Sequence, residues 1–115
     1  MKDFNELFNR QKELQKQIKH KDDIDIIDPV EVYNSATAMM VEIGEMLQED
    51  TRWKPVVTHS KKIPHYSKDK FKEEAADVLL FFMNVLVYAG VSYNEFLDVV
   101  DIKMQKNIKR LVEEV

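Results

Sequence analysis

The stretch VLLFFMNVLVYA, residues 78–89, is apolar except for Asn84, and no other part of the chain limits the fold as much. It is too short to span a bilayer. Wound as a helix, it is apolar around nearly its whole circumference between Val78 and Tyr88. A four-helix chain cannot easily bury such a helix alone, because one stripe packs within the subunit and another is left over. The simplest resolution is a homo-oligomer, a dimer or a tetramer, in which the second stripe is covered across an interface.

The remaining sequence predicts three further helices. Only two glycines and three prolines in 115 residues leave few turns and favour long helices. A first helix is expected from about Asp3 to Lys19, where Phe4, Leu7, Phe8, Gln11, Leu14 and Ile18 recur at the three-and-four spacing of one helical stripe. Asp28-Pro29-Val30-Glu31 reads as a start signal, with an acid at the N-cap, Pro at the first helical position and Glu at the third. That second helix should reach roughly Glu49. Residues 51–67 read as a loop interrupted by Pro55 and Pro64. The apolar third helix then runs from about Lys68, capped by Ser67, to Ala89, with Gly90 as its stop. SYNE, residues 92–95, is a capping box that opens a fourth helix reaching close to Val115. The expected architecture is all-α, a four-helix bundle in a single domain over residues 1–115.

Composition narrows the function. A net charge of −4 argues against a general nucleic-acid binder, and no stable nucleic-acid partner is expected. There is no cysteine, hence no disulfide framework and no thiolate metal site. MKDFNELFNRQKEL at the start lacks the apolar core of a signal peptide. A soluble, cytoplasmic protein with no membrane attachment is expected.

Two carboxylate pairs carry the chemistry. Glu42 and Glu45 stand three apart, and Glu74 and Asp77 repeat that spacing. Residues three apart are neighbours on a helix surface, so each pair projects together. If the second and third helices pack antiparallel, both pairs can face one groove, where four acids would repel unless a cation neutralised them. Oxygen ligands without His or Cys suit Mg²⁺ or Mn²⁺. The setting is informative: Met39, Met40, Val41, Ile43, Met46 and Leu47 surround the first pair, and the second leads into the apolar helix. Gly44, costing on the order of 1 kcal/mol within a helix, suggests the close approach of another helix or a ligand. Asn84, two turns beyond Asp77, reads either as a buried helix-to-helix hydrogen bond or as a ligand contact.

Basic residues are segregated. From Thr51 to Lys72 there are seven Lys and Arg against one acid, a segment suited either to closing over a polyphosphate or to keeping a loop soluble. Lys103, Asn107 and Arg110 share one face of the fourth helix. Two cations and an amide suit phosphate oxygens, and cations near a helix C-terminus also suit its dipole.

With 28 residues between them, Glu42/Glu45 and Glu74/Asp77 resemble the signature of the all-α nucleoside triphosphate pyrophosphohydrolases, which include MazG-like proteins and the dimeric all-α dUTPases. VEIGEMLQEDTRWKP, LFNRQKEL and the late Lys103, Asn107 and Arg110 look like the dUTPase branch. The resemblance implies hydrolysis of a (deoxy)nucleoside triphosphate, dUTP first, to the monophosphate and pyrophosphate. It implies Mg²⁺ (or Mn²⁺) held by Glu42, Glu45, Glu74 and Asp77, with Glu45 and Glu49 as the catalytic carboxylates. Glu49 would be an extra ligand or a water-positioning base. It further implies phosphate binding by Lys54, Lys103, Asn107 and Arg110, and base or sugar contacts from Gln11, Trp53 and Asn84. The alternatives are a pyrophosphohydrolase for other dNTPs (dCTP, dATP, dGTP or modified ones) and, of another class, a non-enzymatic helical interaction module.

Overall fold

The computed structural model describes residues 3–19, 26–53 and 65–113. The fold is all-α: α1 spans Phe4–Lys19, α2 Pro29–Gln48, α3 Lys68–Ala89 and α4 Tyr93–Glu113, with a 3-10 turn over Thr51–Trp53. Among the described residues the β structure is limited to one isolated antiparallel bridge, Asp50 to Tyr66.

The helix ends follow the sequence signals. Asp28, in extended backbone, accepts from the N–H groups of Val30 and Glu31 at 3.0 and 3.4 Å, with Pro29 opening the helix. Ser67 Oγ accepts from the Lys70 N–H. Gly90 stops α3 at φ 75°, a left-handed conformation that lets its N–H reach the carbonyls of Leu86 and Val87. Ser92 Oγ accepts from the Glu95 N–H at 3.2 Å, which is one half of the expected capping box.

α2 and α3 pair along their lengths and run antiparallel. A backbone hydrogen bond ties the two helices at each end: Asp28 N–H to Tyr88 O, and Ser67 N–H to Glu49 O. α1 lies against α3. The core sits at one end of this assembly, where Phe8, Ile26, Met83, Leu86, Val87 and Tyr88 are buried. Phe8 stacks obliquely on Tyr93, and Phe82 meets Phe96 edge-on at 5.4 Å, so the beginning of α4 joins the same cluster. Two polar pairs thread this region. Tyr88 donates its hydroxyl to Gln15 at 2.5 Å in a buried bond, and Gln11 donates its amide to Asn84 at 2.8 Å.

α4 departs from a compact bundle. It follows α3 across a 110° bend and none of its residues is buried. Ile108, Leu111 and Val112 are 59, 65 and 70 % exposed. The radius of gyration is 18.2 Å, against about 13 Å for a compact chain of this length. Among the described residues, no single helix is long and apolar enough to cross a membrane.

Candidate metal centre

The carboxylates sit at the opposite end of the α2–α3 pair from the core. Glu42 and Glu45 lie near the C-terminus of α2 and Glu74 near the N-terminus of α3, so the antiparallel pairing brings them together. One carboxylate oxygen from each of Glu42, Glu45 and Glu74 lies within 4.8 Å of the other two. Glu42 and Glu74 are half-buried while Glu45 is exposed. Asp77 lies outside that cluster of three and is exposed, but its charge still reaches Glu42 and Glu74.

Electrostatics mark the cluster as strained without a counter-charge. Loss of solvation, and then the charge of Glu45, push the Glu42 carboxyl up to about 7. Burial likewise raises Glu74, with the charges of Glu45 and Asp77 adding to it. Glu42 Oε2 and Glu74 Oε2 are buried with no hydrogen-bond partner. Buried carboxylate oxygens are normally satisfied. Two carboxylates that each carry an orphaned oxygen and converge with a third therefore fit a hard divalent cation, which satisfies such oxygens and cancels their repulsion.

An apolar groove runs alongside. Leu7, Gln11 and Leu14 of α1 face Ala76, Leu80 and Met83 of α3 across a space of about 450 Å³. Ala76 adjoins Asp77 in sequence, so the groove leads along α3 from the acids. Gln11 is at its wall, and its bond to buried Asn84 is the helix-to-helix contact that was one of the two readings of that residue.

The other predicted residues are placed differently. Arg110 donates to Asn107 Oδ1 at 2.8 Å, and these two and Lys103 are exposed on α4. α4 begins past Ala89, roughly 20 Å along α3 from Glu74 at about 1.5 Å per residue, and follows it across the 110° bend. Among the described residues, no hydrogen bond or ion pair joins this set to the carboxylates. Lys54 and the side chain of Trp53 lie outside the described residues. Gly44 does not serve close helix packing here, since a Cβ added to it would meet nothing within 4 Å among the described residues.

Sequence reasoning missed the neck that joins α2 to α3. Thr51 N–H donates to His65 O at 2.7 Å, and the His65 N–H returns a bond to Thr51 Oγ1 at 2.6 Å. Arg52 grips Asp50 with two nitrogens, at 2.8 and 2.9 Å, and stacks 3.6 Å above the Tyr66 ring. His65 Nε2 lies 3.4 Å from Glu49 Oε2. Apart from Arg52 and Asp50, two residues apart, these partners are 14 to 16 residues apart across a stretch without helical period, so no local pattern announces them.

With this geometry in view, the comparison with known families is decisive. The family model described as dUTPase matches residues 3–115. The chain belongs to the dUTPase family. No curated protein and no solved structure matches it. Membership in an all-α, dUTPase-like family implies a nucleoside triphosphate hydrolase, and the acid cluster lies within the matched residues.

Proposed function

We propose that this dUTPase-family chain is a Mg²⁺-dependent pyrophosphohydrolase that cleaves dUTP, or a closely related dNTP, to the monophosphate and pyrophosphate. The observation that carries this reading is the convergence of Glu42, Glu45 and Glu74 with two buried, unpartnered carboxylate oxygens. Glu42, Glu45 and Glu74 would hold the cation, with Asp77 completing the set or adding charge beside it. Bound there, Mg²⁺ (or Mn²⁺) supplies neutralisation of phosphate charge and a more acidic water.

The chain's own groups account for the rest. Glu49, one turn beyond Glu45 on the same helix face, accepts a proton from the water that attacks the α-phosphorus. The bond from that phosphorus to the α–β bridging oxygen breaks, and its electron pair leaves with pyrophosphate. The groove between α1 and α3 receives the base, with Gln11 and Asn84 as its polar contacts and Trp53 stacking on it. Lys54 adds charge for the phosphates.

Lys103, Asn107 and Arg110 would bind phosphate in a homo-oligomer, dimer or tetramer, whose contacts also cover the exposed residues of α4. Residues 1–115 would act as one cytoplasmic catalytic domain.

The test is incubation of the purified protein with each NTP and dNTP, with and without EDTA, and resolution of the products. The expected outcome is EDTA-sensitive release of pyrophosphate, fastest with dUTP. Absence of metal-dependent pyrophosphate release from every nucleotide would remove the reading.

A further inference from the structure

Glu49 is set apart from the three clustered acids. It caps the C-terminus of α2 and lies outside the group whose oxygens converge. Its backbone is held from two sides, its N–H on Met46 O at 3.1 Å and its carbonyl receiving Ser67 N–H at 3.0 Å. That leaves the direction of the side chain to be fixed, and among the described residues His65 Nε2, 3.4 Å from Glu49 Oε2, is its hydrogen-bond partner. A carboxylate oxygen accepts, so this bond is made by the ring donating from Nε2. The imidazole is itself well placed to do so, because backbone bonds to Thr51 anchor His65 whatever its side chain is.

We infer that His65 is a positioning residue: by donating Nε2–H to Glu49 Oε2 it aims Glu49 Oε1 at the attacking water. This rests on the function proposed above. In the step concerned, the water proton passes to Glu49 Oε1 while the oxygen bonds to the α-phosphorus, and the Nε2 proton of His65 is not transferred. Hydrogen-bond partners that orient a reacting or ligating group typically matter 10- to 100-fold. The neck is therefore more than a fastening between α2 and α3, since it couples the start of α3 to the direction of one carboxylate.

Full-length wild type, His65→Ala, His65→Gln, Glu49→Gln and the His65→Ala/Glu49→Gln double variant would be compared with dUTP and Mg²⁺. Mn²⁺ titration calorimetry without nucleotide, and ¹⁵N shifts of the His65 ring in metal-free protein, accompany the kinetics. The expected result is a roughly 10- to 100-fold lower kcat in His65→Ala, with KM and Mn²⁺ affinity within about twofold. His65→Gln, which keeps a donor, should recover part of it, and His65→Ala should cost nothing further once Glu49 is Gln. The ring should be protonated at Nε2 in wild type and lose that preference in Glu49→Gln.

Wild-type kinetics in His65→Ala, or independent losses in the double variant, would overturn the inference while leaving the hydrolase reading standing. A ring protonated mainly at Nδ1 would overturn it too. An inactive wild type would instead overturn the hydrolase reading, and the role given to His65 with it.

Discussion

Glu42 concentrates the consequences of the acid cluster in a single side chain. Its carboxyl titrates at about 7 in the folded protein, from an ordinary value of 4.5. A cation has to displace that proton. Mn²⁺ affinity should therefore rise as pH increases toward 7, by up to about tenfold per unit, and level off above it; calorimetry between pH 5.5 and 8.5 checks this. The sign for stability is the reverse. A carboxyl whose folded value is raised favours the fold below its unfolded value, and this contribution is lost as pH climbs through the folded one. Metal-free protein should thus melt lower at pH 8 than at pH 5.5. Glu42→Gln should flatten that difference while abolishing cation binding, as thermal melts and titration would show.

The pairs themselves were legible in the sequence because a spacing of three is a local geometric fact. That Glu42 and Glu74 converge while Asp77 stays outside was not legible, since it depends on the rotation of two helices about their axes.

At the scale of elements, the ends of the helices were the most readable feature. Asp28-Pro29, Ser67, Gly90 and Ser92 each supply a group that the terminal backbone lacks, and each acts where the sequence places it. Gly90→Ala should destabilise the protein by about 1–2 kcal/mol, since a non-glycine residue pays for the left-handed backbone and the new Cβ would come within 2.8 Å of Ile27 Cδ1. Tyr88→Phe should cost about 1–3 kcal/mol by stranding the buried Gln15 carbonyl. Urea unfolding measures both. The neck from Asp50 to Tyr66 stayed hidden because its bonds join residues on either side of a long connection, where backbone pairing leaves no periodic trace.

For the whole molecule, the all-round apolarity of residues 78–89 pointed beyond a self-sufficient bundle. The structure leaves its exposed apolar surface chiefly on another helix. α3 is largely covered over 83–88, whereas α4, apart from the partly buried Tyr93 and Phe96 at its start, leaves most of its apolar residues exposed. Periodicity reveals that a helix has an apolar face but not whether that face meets its own chain or a copy. If a copy covers α4, Ile108→Glu combined with Leu111→Glu should shift sedimentation toward monomer. Should Lys103, Asn107 and Arg110 of one chain serve the acids of another, the same variant should lose turnover in parallel, which activity against protein concentration would reveal.

The separation of core from carboxylates gives the α2–α3 pair two unlike ends. Every fully buried apolar residue among those described lies at the end away from the acids, so amides around Glu45 and Glu74 should exchange with deuterium well before those around Val87. A bound divalent ion would then act as a substitute for missing hydrophobic glue. Loading it should slow exchange at the frayed end and scarcely alter the other.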